Sequence, residues 1–234
     1  MITKEAIILA GGEGTRLKNT VQGLPKTLAP VSGKPFIEYI LKELKLSGIQ
    51  RFVFAIGKNH GQIADYLNDQ HASLDHQLVI EDDPMGTGGA IMNALQHCRE
   101  NTVAIVNGDT LFKVKLDKMA SFHHMCGAEC TLALKHMKSV SRYGEVKLNK
   151  DYSIASFHEK AEMSEGLING GFYLLNKRLF LENEFSGKFS FEADYLEKKI
   201  GQRRIFGVVQ DGYFIDIGVP EDYFRAQDEI KKQL

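Results

Sequence analysis

Close to its N-terminus the chain reads Ala6-Ile7-Ile8-Leu9-Ala10-Gly11-Gly12-Glu13-Gly14-Thr15-Arg16-Leu17. The first five of these residues are apolar and rich in isoleucine, which is typical of a strand buried on both faces. The glycines that follow permit a sharp turn with several backbone N–H groups exposed, and such turns bind phosphate. Arg16 adds a cation with a fixed, two-pronged geometry. The stretch therefore predicts a buried strand followed by a phosphate-binding loop.

Two common phosphate motifs do not fit this loop. The dinucleotide pattern G-x-G-x-x-G, placed on Gly12 and Gly14, needs a third glycine where Leu17 stands. The P-loop pattern needs Gly-Lys followed by Ser or Thr, and none of the Gly-Lys pairs in the chain has that successor.

The first half of the chain alternates short apolar runs with helical patterns. The runs that read as strands are Ala6–Ala10, Phe52–Ile56, Leu78–Ile80 and Val103–Val106. Apolar residues at helical spacing lie between them, in the segments 36–44, 63–67 and 90–95. This alternation predicts an α/β fold: a Rossmann-like, mostly parallel sheet with helices on both faces. Such sheets bind ligands beyond the carboxyl ends of their strands.

The second half has more closely spaced strands, which predict antiparallel additions to the sheet or a small flanking subdomain. The strand-like segments are Cys130–Leu134, Gly144–Leu148, Ser153–His158, Gly170–Leu175, Ile205–Val209 and Tyr213–Ile217. A helical piece is expected at Phe191–Lys198 and a final helix at Pro220–Lys232, with proline in its first turn. We expect one domain with two halves, at about 1–115 and about 116–234.

Composition excludes several classes of protein. The 234 residues carry a formal net charge of −1, whereas nucleic-acid binding favours a basic surplus. Apolar runs are too short for a membrane span or a signal peptide. Three cysteines cannot form a closed disulfide framework. We therefore expect a cytoplasmic protein with neither a nucleic-acid nor a membrane partner.

Individual residues extend the phosphate hypothesis. Lys26 stands between Pro25 and Pro30, which stiffen the backbone around a cation close to the glycine loop. Asp109 follows the fourth predicted strand, where a carboxylate can bind a hard cation in the crevice. Asp216 has apolar neighbours within a strand, which disfavours a merely solvated role. Thr87 is expected to cap the helix that follows it.

These motifs resemble those of the sugar-1-phosphate nucleotidyltransferases over nearly the whole chain. The resemblance rests on Leu9–Leu17, Pro25-Lys26 and Gly33-Lys34-Pro35-Phe36, and it extends to the loop Glu81–Ala90. It implies a catalytic set of Arg16, Lys26, Asp109 and Asp216, the two aspartates being ligands of Mg²⁺. The nucleotide-binding residues it implies are Leu9, Gly11, Gly12, Thr15, Arg16, Lys26, Glu81, Gly86, Thr87, Asn107 and Gly108. The sugar-phosphate-binding residues it implies are Tyr143, Gly144, Glu159, Lys160 and Asn169. The first half of the domain, about 1–115, would then bind the nucleotide, and the second half, about 116–234, the sugar phosphate.

The resemblance also implies substrates. A carboxylate at Glu81 would accept from guanine N1–H and its exocyclic amine, so GTP is favoured as the nucleoside triphosphate. The segments 169–175, 189–192 and 211–223 resemble the guanylyltransferases that act on D-glycero-α-D-manno-heptose 1-phosphate. The expected product is a GDP-heptose for bacterial surface glycans. Three alternatives stay open: a uridylyltransferase acting on N-acetylmuramate 1-phosphate, a mannose-1-phosphate guanylyltransferase, and a non-catalytic sugar-nucleotide sensor.

Overall fold

The computed structural model describes residues 3–12, 17, 20, 21, 23–57, 61–138, 143, 145–158, 165–185, 187–202 and 204–233. Its strands are β1 (Glu5–Leu9), β2 (Pro30–Val31), β3 (Lys34–Pro35), β4 (Arg51–Gly57), β5 (Asp75–Glu81), β6 (Thr102–Asn107), β7 (Thr110–Phe112), β8 (Cys130–Met137), β9 (Glu145–Leu148), β10 (Ile154–His158), β11 (Gly166–Asn176), β12 (Ile205–Gln210) and β13 (Phe214–Asp216). Its α-helices are α1 (Phe36–Leu46), α2 (Gly61–Gln70), α3 (Gly86–Leu95), α4 (Leu116–Met125), α5 (Lys177–Leu181) and α6 (Pro220–Glu229).

A seven-stranded sheet runs through the molecule in the order β12-β8-β11-β6-β1-β4-β5. The four strands predicted in the first half are adjacent and parallel: β1 pairs with both β4 and β6, and β4 pairs with β5. The Rossmann-like α/β architecture is thereby confirmed. The carboxyl ends of these four strands lie along one edge of the sheet.

Strands of the second half join the same sheet and also form a flanking pair. β11 runs antiparallel to both β6 and β8, while β12 runs parallel to β8. β9 and β10 make a separate two-stranded ribbon. Both forms that the sequence left open are therefore present, an antiparallel addition and a small separate sheet.

The sheet is buried on both faces, and consecutive apolar side chains of β1 point to opposite sides of it. Ala6 and Ile8 of β1 belong to one core cluster, which also takes residues from α1, α2, α4 and α6. Ile7 belongs to the other cluster, together with residues of α3 and α5. Helices therefore cover both faces of the sheet, as the alternation of strands and helices predicts. Within the described part of the chain, no helix is long and apolar enough to cross a membrane.

Several short elements were not predicted from sequence. β7 has only three residues, too few to show an alternating pattern, whereas β13, also of three residues, lies within the predicted strand Tyr213–Ile217. The segment Phe191–Leu196 was expected to be helical and is, but it winds as a single π-helical stretch followed by a 3₁₀ turn at Glu197–Lys199. π-helical stretches of this kind are often found near functional sites.

The first turn of α3 packs against a distant segment through its glycines. Gly86 has φ +75°, and a Cβ there would overlap the carbonyl oxygen of Phe189. A Cβ at Gly88 would overlap the Phe189 ring. Two backbone hydrogen bonds fix the contact, from Gly88 N–H to the Phe189 carbonyl and from Phe189 N–H to the Met85 carbonyl, each 3.1 Å. Packing within the chain thus accounts for glycine at both positions.

We expect Gly86→Ala to lower the free energy of unfolding by about 1–3 kcal/mol, because it adds steric overlap to backbone strain. Urea unfolding monitored by circular dichroism measures this loss. Gly33→Ala is the matched control, since Gly33 has φ +81° and a Cβ there meets nothing within 4 Å among the described residues. Equal losses in the two variants would show that overlap with Phe189 contributes nothing.

Candidate active site

The strand ends at the carboxyl edge bring together residues from four separate segments. Leu9 at the end of β1 pairs with Asn107 at the end of β6. On the other side, Gly57 at the end of β4 pairs with Glu81 at the end of β5. A Cβ at Gly11 would lie 2.9 Å from the backbone nitrogen of Gly57, so the loop after β1 crosses close to β4. This edge therefore holds most of the predicted nucleotide-binding residues that the structure describes.

The glycine loop itself is described only in part. Gly11 and Gly12 are in the structure, and a Cβ at Gly12 would meet nothing within 4 Å among the described residues. Thr15 and Arg16 lie outside the described residues. Their roles at the triphosphate stay predictions.

Lys26 reaches the end of β6. It opens a 3₁₀ turn, Lys26–Leu28, directly after Pro25. Its Nζ donates to Asp109 Oδ2 at 3.2 Å, and the two side chains are 15% and 30% exposed. The cation predicted from the proline-flanked motif is thus held at the strand ends, paired with a carboxylate of the same site.

A three-residue ladder brings Asp109 and Asp216 together. β7 and β13 pair antiparallel, with Asp216 opposite Thr110, and Ile217 N–H donates to the Asp109 carbonyl at 2.9 Å. Gly218 N–H donates to Asp216 Oδ1 at 2.6 Å. A Cβ at Gly218 would lie 2.8 Å from Asp216 Oδ1 and 3.7 Å from Asp109 Oδ2. Both carboxylates therefore border the space that glycine leaves open.

This pair suits a hard divalent cation. Mg²⁺ usually takes one or two protein carboxylates and completes its shell with water and substrate phosphate. Among the described residues no group of three or more His, Cys, Asp or Glu side chains could hold a metal ion. The two aspartates beside Gly218 fit an ion such as Mg²⁺ that completes its shell with water and phosphate. They do not fit an ion enclosed by protein ligands alone.

Gly108, between Asn107 and Asp109, packs directly against the end of β1. Its N–H donates to the Leu9 carbonyl at 2.9 Å, and a Cβ there would lie only 2.6 Å from that carbonyl oxygen. The same Cβ would approach the Thr27 hydroxyl to 3.1 Å. Glycine is therefore required for the chain to place Asn107 and Asp109 on either side of such a tight contact.

Glu81 is half-buried at the carboxyl end of β5, the strand at one edge of the sheet. Its Oε1 is buried and has no hydrogen-bond partner among the described residues. Burial raises the pKa of Glu81 above its usual value, and a hydrogen bond with the Met85 backbone acts in the opposite direction. A buried acceptor without a donor is costly, and a ligand that donates to it would remove that cost.

The helix-capping role predicted for Thr87 is wrong. α3 begins at Gly86 with Met85 as its N-cap residue, so Thr87 lies inside the first turn. Its hydroxyl instead donates to Glu192 Oε2 at 3.0 Å and accepts from Phe191 N–H at 2.8 Å. The helix thus starts two residues earlier than a cap at Thr87 would place it, and its first residue, Gly86, has φ +75° and packs against Phe189.

The sugar side of the predicted site is only partly described. Asn169, on β11, is half-buried, and its amide donates to the Tyr173 hydroxyl at 2.8 Å. Gly171, two residues further on, lies against the Asn107 side chain. Tyr143 packs edge-on against Phe214 of β13, with ring centroids 5.8 Å apart. Gly144, Glu159 and Lys160 lie outside the described residues.

Sequence reasoning missed one set of contacts, those of Glu192. Tyr173 OH donates to Glu192 Oε1 at 3.3 Å, in addition to the bond from Thr87. Glu192 lies in the segment 189–192, which carries part of the resemblance, but that resemblance gave this carboxylate no role. Its place in a predicted helical segment, Phe191–Lys198, was the other available signal.

The fold and the strand-end cluster define a nucleotide-binding α/β enzyme. The nucleotidyl transferase family matches residues 5–233, and the chain belongs to that family. Enzymes of this kind generally use a divalent metal ion.

Three relatives are similar to the chain over nearly its full length. A D-glycero-α-D-manno-heptose 1-phosphate guanylyltransferase of Aneurinibacillus thermoaerophilus is 46% identical over 98% of this chain and 100% of its own. The enzyme of the same name from Campylobacter jejuni is 40% identical, over 94% of this chain and 97% of its own. The crystal structure of HddC from Yersinia pseudotuberculosis has a TM-score of 0.87 and 33% identity, over 97% and 100%. A second structure of HddC is a complex with GMP-PN.

We expect Glu81→Gln to be more stable than the wild type at pH 7. The raised pKa means that the folded state holds the Glu81 proton more tightly than the unfolded state does. Wild-type stability therefore falls as pH rises above 4.5, the usual value, and a neutral amide avoids that loss. The advantage should vanish as pH drops below 4.5.

Urea unfolding between about pH 4 and pH 8 tests this expectation. Glu182→Gln serves as the control, because Glu182 is exposed and pairs only loosely with Arg178. A Glu81→Gln protein that is less stable than the wild type at pH 7 would contradict the cost assigned to burial.

Proposed function

We propose that the chain transfers the guanylyl group of GTP to D-glycero-α-D-manno-heptose 1-phosphate, releasing pyrophosphate and forming GDP-heptose. One observation carries the proposal. A guanylyltransferase for this sugar phosphate is 46% identical to the chain, and the similarity extends over the whole length of that enzyme. The strand-end arrangement of Lys26, Asp109 and Asp216 fits the chemistry. The complex of HddC with GMP-PN adds support for a guanine nucleotide.

The reaction demands alignment and charge neutralisation more than proton transfer. An oxygen of the sugar phosphate attacks the α-phosphorus of GTP, and the bond from that phosphorus to the bridging oxygen breaks, so that pyrophosphate leaves. The nucleophile is already an anion, so no general base is needed. Preorganised cations that hold mutually repelling phosphates in line are therefore the main requirement.

Lys26 supplies one such cation. Its ammonium group is held at the carboxyl edge by Asp109, within a turn that Pro25 stiffens. Incoming phosphate oxygens compete with Asp109 for this ammonium, so Lys26 can turn to the substrate with little movement of its backbone. Arg16 would act on the same phosphates from the glycine loop.

Asp109 and Asp216 would hold Mg²⁺ beside the space left by Gly218. The ion, when bound, neutralises phosphate charge and orients the α-phosphate. The two residues contribute rigidity: Asp216 Oδ1 is fixed by Gly218 N–H, and the Asp109 backbone is fixed by Ile217 N–H.

Glu81 is proposed to read the base. Guanine presents two adjacent donors, N1–H and the exocyclic amine, to a carboxylate. Adenine presents an acceptor at N1, so its approach to Glu81 would be repulsive. The buried Oε1 without a partner among the described residues supports this assignment.

The product would serve bacterial surface glycans such as lipopolysaccharide, capsule or S-layer glycan. A cytoplasmic location is proposed with it, because the reaction consumes GTP. Free thiols at all three cysteines are consistent with a reducing compartment.

We expect Lys26→Ala to reduce kcat roughly 100-fold, which corresponds to about 3 kcal/mol of lost electrostatic stabilisation. Folding should be nearly unaffected, because a partly exposed ion pair contributes little to stability. Release of pyrophosphate and thermal unfolding measure the two properties. Lys113→Ala is the control, since Lys113 binds the Gln233 carbonyl away from this site. A folded Lys26→Ala enzyme with kcat within a few-fold of wild type would remove Lys26 from the reaction.

A panel of nucleotides crossed with sugar 1-phosphates tests the whole proposal. GTP with the heptose 1-phosphate should give the highest kcat/KM, above UTP, CTP, dTTP and ATP. Glu81→Gln should reduce the preference for GTP over ATP by roughly tenfold or more, because an amide offers guanine one acceptor instead of two. Asp82→Asn and Asp83→Asn, both exposed loop carboxylates, should leave the preference unchanged.

The panel also separates the alternatives. Better use of UTP with N-acetylmuramate 1-phosphate would establish a uridylyltransferase, and better use of mannose 1-phosphate would establish that sugar. A protein that binds GDP-heptose but releases no pyrophosphate with any pair would be a sensor. A GTP preference unchanged in Glu81→Gln would keep the function and remove Glu81 from its explanation.

A further inference from the structure

Tyr173, which is buried, and Glu192, which is half-buried, form a hydrogen-bonded link between two parts of the site that are far apart in the sequence. Tyr173 is 1% exposed, on β11, and its ring packs edge-on against Phe191, with centroids 5.1 Å apart. Glu192 follows in the π-helical segment. At one end of the link stands Asn169, predicted to contact the sugar, and at the other stands Thr87, predicted to contact the nucleotide.

The donors and acceptors in this link allow one arrangement only. A carboxylate accepts hydrogen bonds and cannot donate, so the Tyr173 hydroxyl must give its proton to Glu192 Oε1. The phenol oxygen is then free to accept from Asn169 Nδ2 at 2.8 Å. Asn169 Oδ1 in turn accepts from Gly171 N–H at 3.1 Å. The amide of Asn169 is therefore held with its nitrogen toward Tyr173 and its oxygen toward Gly171.

Burial keeps the hydroxyl protonated. It raises the pKa of Tyr173 well above its usual value, and the charge of Glu192 raises it further. Tyr173 thus stays a donor to Glu192 over the whole physiological range.

The other end of the link fixes the first turn of α3. Thr87 Oγ1 donates to Glu192 Oε2 at 3.0 Å, and Ser190 Oγ donates to the same oxygen at 3.3 Å. Phe191 N–H donates to Thr87 Oγ1 at 2.8 Å. Each oxygen of Glu192 therefore serves one side of the site: Oε1 serves β11 and Oε2 serves α3.

We propose that Tyr173 and Glu192 are positioning residues, which orient the Asn169 amide for the sugar phosphate and tie it to the nucleotide-binding turn of α3. The proposal rests on the function proposed above. Neither residue is assigned a contact with substrate. Their effect passes through Asn169 and Thr87.

Tyr173→Phe tests the proposal because it removes the hydroxyl and keeps the ring. We expect KM for the sugar 1-phosphate to rise roughly tenfold, the loss typical of one well-placed hydrogen bond, while kcat changes less. The dissociation constant of GTP, measured by calorimetry without the sugar phosphate, should stay within about twofold, because the Thr87–Glu192 bond is retained.

Tyr195→Phe is a closely matched control. Tyr195 is also 1% exposed, its ring also packs 5.1 Å from Phe191, and its hydroxyl also binds a carboxylate, Glu129, at 3.0 Å. Glu129 makes its other contacts with Asn183 and Lys199, away from the strand ends. Tyr195→Phe should lower the melting temperature about as much as Tyr173→Phe and leave both KM values unchanged.

A double-mutant cycle shows whether Tyr173 acts through Asn169. In an Asn169→Ala background, Tyr173→Phe should change KM for the sugar phosphate by less than about twofold, because the group that it orients is gone. Additive effects would overturn the proposal, as would equal kinetic effects of Tyr173→Phe and Tyr195→Phe, or an unchanged KM in Tyr173→Phe.

Glu192→Ala provides a second route if Tyr173→Phe fails to fold. It removes the oxygen that accepts from Tyr173 together with the one that accepts from Thr87, so it too should raise KM for the sugar phosphate. The kinetic constants are measured with whichever nucleotide and sugar 1-phosphate the wild type uses best. If GTP and the heptose phosphate proved not to be substrates, that result would refute the proposed function and leave the positioning roles of Tyr173 and Glu192 to be judged by these kinetics.

Discussion

The short antiparallel ladder between β7 and β13 holds the candidate active site together. It joins the turn after the fourth parallel strand to a strand close to the C-terminal helix, and it places Asp216 beside Asp109. The Ile217 N–H bond to the Asp109 carbonyl and the Gly218 N–H bond to Asp216 Oδ1 hold both carboxylates from the backbone. Lys26 then has a fixed anion to pair with. The ladder is what holds these two acidic groups, far apart in the sequence, side by side.

The parallel half of the fold could be predicted from sequence because its strands are buried on both faces. Runs such as Ala6–Ala10 and Val103–Val106 are almost wholly apolar, and their positions in the structure agree with the prediction to within a residue or two. The loops at their carboxyl ends follow from the topology of such sheets. Lys26, Glu81 and Asp109 lie at this edge in the structure, as the sequence predicts.

Features that depend on contacts distant in the sequence could not be predicted. Thr87 has the composition of a capping residue, yet α3 begins before it because Phe189 packs over Gly86 and Gly88. The glycines at those positions resemble a base-binding loop in the sequence, and the structure gives them a packing role as well. Glu192 lies in a segment that carries the family resemblance, but the sequence gave its side chain no role. Its contacts with Thr87 and Tyr173 exist only because the π-helical segment lies across the start of α3.

The strand order also has a consequence for the order in which the protein can fold as it is synthesised. β1, β4, β5 and β6 are neighbours and all emerge in the first half of the chain, so their pairing can precede the rest. Until β11 is made, however, β6 presents an unpaired edge of backbone N–H and C=O groups to the solvent. Open edges of apolar strands recruit other chains, and an unfinished α/β sheet is prone to aggregation for this reason. The antiparallel strand β11 therefore closes the exposed edge of a nascent sheet as well as contributing Asn169 to the mature one.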